Sequence, residues 1–162
     1  MYRRVQDLID NLHVIIKYSS ELEADGAYLP KLNWIIINSK LDEHAQFETL
    51  LHELGHACQH HDCIELYNAT IASHSKFEYE ADKFMISELV EAYISANDID
   101  ITQINYVNFI LDNDLDSSYI PVLQKVLYTK SRNMNYWLFV QILTTLKAEF
   151  KIGSDVYGLL YC

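Results

Sequence analysis

Residues 50–61 read Leu-Leu-His-Glu-Leu-Gly-His-Ala-Cys-Gln-His-His, and His52-Glu53-Leu54-Gly55-His56 within them makes sense only on an α-helix. Side chains four residues apart lie nearly above one another on a helix, so His52 and His56 can grip one ion if the stretch over 43–60 is helical. Glu53 then stands roughly 100° further round, beside such an ion rather than on it, where a base acting on an activated water belongs. Two imidazoles and a carboxylate at this spacing form the HExxH pattern of metal-assisted hydrolysis.

The residues around the motif obey the same period. At 100° per residue from His52, the side chains Phe47, Leu50, Leu51, Leu54 and Cys58 fill an arc from roughly 160° to 260°, with the histidines near 0° and 40°. One side of the helix is thus expected in the core, Cys58 included, and the other carries site chemistry. Asp42 and Glu43 suit the positive end of the helix dipole. Gly55 in mid-helix costs about 1 kcal/mol relative to Ala, which predicts that another backbone comes close there.

A catalytic zinc site takes three protein ligands and leaves the fourth position open. Glu78, in Phe77-Glu78-Tyr79-Glu80-Ala81-Asp82, is the expected third. A helix over 76–96 would put Glu78, Asp82, Met85 and Leu89 on one stripe, with Glu80 on the opposite side. Carboxylates turned inward are costly without partners. A metal would satisfy Glu78, and a ring N–H of a ligating histidine would satisfy Asp82. The competing assignment is a capping box, with Ser75 as N-cap and Glu78 three residues on. Cys63 is a rival ligand by residue type, and His60 continues the histidine stripe by another turn.

The run Ile36-Ile37-Asn38, then Leu41, Phe47 and Leu51-His52-Glu53-Leu54-Gly55-His56, followed by Glu78-x-Glu80-Ala81-Asp82 and Phe84, resembles the ImmA/IrrE family of metallopeptidases. The resemblance covers roughly residues 5–95, and two spaced motifs are more specific than HExxH alone. Met85 departs from it, standing where family members usually carry a small residue. The resemblance implies a zincin-like fold with zinc held by His52, His56 and Glu78, Glu53 as catalytic base, and Asp82 in the outer shell. It further implies an intracellular endopeptidase that cleaves or inactivates a partner protein, a helix-turn-helix transcriptional repressor of a phage or mobile element. The alternative is a noncatalytic anti-repressor that keeps the metal for structure and acts by binding.

Charge narrows the partners. The chain carries 23 acidic against 12 basic residues, a formal charge of −11, whereas nucleic-acid binders present a basic face. Direct nucleic-acid binding is not expected; a basic protein partner would be steered toward the chain. No 18-residue apolar stretch is long enough for a membrane span, and the basic start lacks the apolar run of a signal peptide. Cys58, Cys63 and Cys162 are too few for a disulfide framework and suit a reducing cytoplasm.

Along the chain, Val5, Leu8, Ile9, Leu12, Ile15 and Ile16 predict an amphipathic first helix. Ala27–Leu29 and Asn33–Asn38 read as strands about a Pro30-Lys31 turn. Residues 27–38 are expected to offer an edge to which an extended substrate could pair. The whole reads as α+β, mostly helical, with a small sheet beside the HExxH helix. The expected division is a zincin-like domain over 1–97 and a helical region over 98–162. In the latter, helices are expected around Ile101–Leu111 and Tyr119–Leu127, a linker over 128–135, and an apolar Tyr136–Val140 of undecided structure. A zincin site normally adds a Tyr, His or Arg donor for the oxyanion. Twelve tyrosines, His60, His61 and His74 are available, and the sequence does not distinguish them.

Overall fold

The computed structural model describes residues 3–60 and 71–133. Helix α1 (Arg3–Leu12) buries Val5 and Ile9 but stops short of the isoleucine pair that the periodicity assigned to it. His13 takes φ 54°, a left-handed step through which a helix cannot continue. Val14 is then buried, and Ile15–Ser19 forms strand β1. The spacing of Ile15 and Ile16 fits a helix face as well as a β-branched strand, and pairing with a strand remote in sequence decides between them.

Strands β2 (Gly26–Leu29) and β3 (Trp34–Asn38) complete a three-stranded sheet of order β1-β3-β2. β3 runs parallel to β1 from Ile15↔Trp34 to Ser19↔Asn38, and antiparallel to β2 from Gly26↔Ile37 to Leu29↔Trp34. At the turn, Asn33 adopts φ 53°, a conformation asparagine tolerates better than most residues. Its amide donates to the carbonyls of Leu12 at 2.8 Å and His13 at 2.9 Å, tying the hairpin to the end of α1. Because β3 is central, with Ile35 and Ile37 fully buried, only β2 within residues 27–38 lies at the edge of the sheet among the described residues, and the Tyr28 backbone N–H on it is held by Glu53.

Helix α2 (Glu43–His60) has the limits its pattern predicts. Asp42 accepts a hydrogen bond from the Ala45 amide at 2.9 Å, satisfying one of the free N–H groups of the first turn. Leu50, Leu51 and Leu54 lie in the core. Cys58, expected beside them, is exposed, and Ala57 takes the buried place one residue earlier. Cys58 lies on the apolar arc but a turn beyond the core that the arc faces.

Helix α3 (Ile71–Asn97) begins well before residue 76. Ser75 therefore sits inside a helix already under way, and the capping-box assignment of Glu78 falls: the S-x-x-E spacing is present without a helix start to cap. After α3, Asp98 turns the chain at φ 49°. Short pieces follow: a 3-10 turn Ile101–Gln103, helix α4 (Tyr106–Asp112) and a second 3-10 turn Ser117–Tyr119. Asp100, Asn105 and Asp116 cap them in that order through side-chain acceptors. Residues 120–133 are helical, so the expected linker is helix as far as 133; its polar residues include no Gly or Pro to break one.

The architecture is α+β, mostly helical with a small sheet against α2. Two compact units are formed, Met1–Val126 and Leu127–Cys162. Cys63, His61, Ile64–Tyr67, Asn135, Tyr136–Val140 and Cys162 lie outside the described residues, as does the His60 side chain.

Candidate metal centre

The site begins with a missing side chain. A Cβ on Gly55 would stand 2.9 Å from Ala81 Cα, 3.0 Å from Ala81 O and 3.2 Å from Phe84 Cβ. Glycine thus lets the α3 backbone lie directly on α2, as the motif helix led us to expect, and this contact swings Glu78 and Asp82 over the two histidines.

His52 Nε2 and His56 Nε2 face each other at 3.2 Å. Glu78 Oε2 lies 3.4 Å from His52 Nε2, and Glu78 Oε1 lies 3.6 Å from His56 Nε2. Ligand bonds of about 2.05 Å in tetrahedral geometry separate donor atoms by roughly 3.3 Å; the two imidazole nitrogens stand near that spacing, and each faces a different oxygen of the Glu78 carboxylate, so that one donor atom from each residue lies within 4.8 Å of the others. The donor chemistry agrees, since imidazole and carboxylate both suit zinc. Among the described residues this is the group of histidines and acids able to hold an ion.

Asp82 meets the far side of His52, with Oδ1 3.0 Å from Nδ1. A proton on Nδ1 donated to Asp82 leaves the Nε2 lone pair turned toward Glu78 and His56. Burial alone would lower the His52 pKa, but the hydrogen bond to Asp82 and the charges of Glu53, Asp82 and Glu78 outweigh it and raise it. His74, one turn before Glu78 and largely exposed, lies 3.8 Å from Glu78 Oε1.

Glu53 is 8 % exposed and turned toward the sheet. A Cβ on Gly26 would collide with Thr49 Cγ2 and come within 3.1 Å of Glu53 Cγ and 3.2 Å of Glu53 Oε1. Strand β2 can therefore pass this close only because it opens on glycine. Burial pushes the Glu53 pKa up; the charge of His52 and a hydrogen bond from the Tyr28 backbone N–H act against it, and Glu78 adds to it. A carboxylate raised toward neutrality is better matched to moving a proton than one at its ordinary value.

His52 and Glu53 line a cavity of about 310 Å³ with Asp25, Gly26, Glu48, Thr49, Met85 and Tyr119. Glu48 Oε1 is buried without a hydrogen-bond partner among the described residues, and burial raises the Glu48 pKa. The Tyr119 phenol is pushed up to about 12 by burial and by the charges of Asp82, Glu48, Asp116 and Glu78. All five residues singled out in sequence, His52, Glu53, His56, Glu78 and Asp82, thus fall into one neighbourhood. Gly26, Glu48 and Tyr119 did not stand out in sequence. Gly26 had a signal in retrospect, as a glycine opening a strand, whereas Tyr119 had none among twelve tyrosines.

A buried carboxylate beside two histidines and an acid whose donor atoms converge defines the HExxH class of metal centre. Residues 12–94 match the IrrE N-terminal-like domain family, peptidase M78. The chain belongs to that family, whose name carries a metallopeptidase-type function. No curated protein matches this sequence. Among the described residues no helix is long and apolar enough to cross a membrane.

Proposed function

We propose that this chain is a zinc-dependent endopeptidase that works in the cytoplasm on a partner protein, a helix-turn-helix repressor of a phage or mobile element. The observation that carries the peptidase reading is the convergence of His52, His56 and Glu78, one donor atom from each within 4.8 Å of the others, with Glu53 buried alongside. His52, His56 and Glu78 hold the ion, and Asp82 orients His52. When bound, zinc would acidify a water and polarise the scissile carbonyl. Glu53 accepts the proton as the water attacks and returns it to the leaving amine. Strand β2, at the edge of the described sheet, offers main-chain groups beyond the Tyr28 N–H for pairing with an extended segment of substrate. The repressor as partner is supported by the family resemblance, and a charge of −11 favours encounter with a basic DNA-binding protein.

The test is Glu53→Gln in the full chain, incubated with a candidate repressor and assayed for bound zinc. Zinc content and fold should persist while repressor cleavage falls by about 10²–10⁴-fold, the usual contribution of a positioned general base. A Gln variant that still relieves repression, with the repressor intact and at normal abundance, would replace the peptidase reading with anti-repression by binding.

A further inference from the structure

The cavity beside His52 and Glu53 has a wall that belongs to neither motif. Tyr119 enters it from the second 3-10 turn, well outside the residues that match the family. The turn is held from within: Asp116 accepts from the Ser118 amide at 2.7 Å, and the Tyr119 amide donates to the Asp116 carbonyl at 3.1 Å. The ring is therefore presented from a fixed backbone, half-buried, with its hydroxyl making no hydrogen bond among the described residues.

Among the described residues, the other hydroxyl donors near the site are already engaged or turned away. Tyr28 donates its hydroxyl to Asn33 Oδ1 at 3.1 Å, and Tyr93 donates to Asp112 Oδ2 at 2.8 Å. Tyr18, Tyr79 and Tyr106 are exposed and do not line the cavity. Thr49, the other hydroxyl on the wall, turns its methyl toward Gly26. Hydrolysis of an amide needs a donor where the carbonyl oxygen gathers charge, and a preorganised donor in a half-closed site is worth most there.

We propose that Tyr119 is a catalytic residue, donating its phenolic O–H to the substrate carbonyl oxygen as that oxygen becomes an oxyanion. The assignment rests on the peptidase reading and adds to it the residue that stabilises the tetrahedral intermediate. Water oxygen bonds to the carbonyl carbon, and its proton passes to Glu53. The C=O π pair moves to oxygen, where Tyr119 holds it by hydrogen bond without giving up its proton. The pair then returns, the C–N bond breaks, and the proton on Glu53 leaves with the amine. Burial, and then the carboxylates around Tyr119, disfavour the phenolate and keep it a donor.

The test compares full-length, zinc-loaded wild type with Tyr119→Phe, which keeps the ring and removes only the hydroxyl. Pooled quenched-fluorescent peptides report kcat and KM. Calorimetry reports affinity for a phosphinic pseudo-tripeptide, which presents a tetrahedral oxyanion, and for a thiol dipeptide, which binds metal through sulfur and presents none. The expected result is kcat lower by about 10²–10³-fold, the loss typical of one oxyanion donor, with KM little changed. Phosphinate binding should weaken at least tenfold and thiol binding stay within about twofold, a selectivity that follows from removing only that donor. Equal phosphinate affinity in the two proteins overturns the assignment. So does equal loss of both probes, which would make Tyr119 a residue that merely shapes the cavity, or the same selective loss in His74→Asn instead. Wild-type protein that takes up zinc but binds neither probe and cleaves no peptide overturns the peptidase reading itself.

Discussion

The helix pair α2–α3 and the segment after Asp98 build opposite sides of one cavity by different means. The pair is two long helices in backbone contact at Gly55 and Ala81, and every proposed ligand sits on it at a repeat of three or four residues. The segment over 98–119 is a string of short turns and one seven-residue helix, capped in turn by Asp100, Asn105 and Asp116. It is anchored by buried side chains, Ile101, Phe109, Ile110 and Leu115 among them. Phe109 is fully buried and meets Tyr93 edge-on, with ring centres 5.2 Å apart. Tyr93 bonds Asp112, and the His44 Nε2–H donates to the Asn113 carbonyl at 2.7 Å. The difference teaches what each job demands. Gripping an ion requires several donors placed to within a fraction of an ångström, which rigid helices with a periodic motif supply. Walling a cleft requires one or two groups brought near, which caps and a few anchors can achieve.

If the two regions are separable in this way, loosening the wall should leave the metal grip intact. Phe109→Ala should cost about 3–5 kcal/mol of stability, as large-to-small changes of buried aromatics do, by urea or thermal unfolding. Zinc affinity of the folded variant should stay within about twofold, since no proposed ligand touches Phe109; a parallel loss would mean that wall and grip form one unit. The converse change is smaller. Asp82→Asn should weaken zinc binding by about 10–100-fold, the usual cost of losing an outer-shell partner, in competition with a chromophoric chelator. Metal-free stability should change little, and unaltered zinc affinity would remove Asp82 from the site. Smallest is Gly55→Ala. Crowding against Ala81 and Phe84 costs about 1–3 kcal/mol and the gain in helix propensity returns about 1 kcal/mol, a net loss of up to roughly 2 kcal/mol. A variant as stable as wild type in urea would show that the helices do not need this close approach.

Much of the grip was legible before any coordinates. The limits of α2 followed from its period and its acidic start, and Gly55 announced a close neighbour. The stripe Glu78–Asp82–Met85–Leu89 pointed two carboxylates inward. Where the reading failed, a local pattern had two solutions. Ile15 and Ile16 continued the helical spacing of α1, yet pairing with β3 drew them into a strand. Ser75 and Glu78 spelled a capping box inside a helix that had started earlier. Cys58 sat on the apolar arc, but beyond the reach of the core. The wall was not legible at all, because a single tyrosine in a 3-10 turn has no period to betray it.

By itself the sequence determined the chemistry on offer: which donors, on which helix faces, one turn apart, with an acid stripe to complete them. That information is local, since a helix converts spacing in sequence directly into spacing in space. Only the tertiary structure decided which strand is central and which is edge, how closely α3 lies on α2, that β2 opens on Gly26 against Glu53, and that Tyr119 faces the same cavity as His52 and Glu53. Those choices depend on contacts between residues tens of positions apart, whose free energy comes from mutual burial and steric fit, and no single stretch of chain carries them.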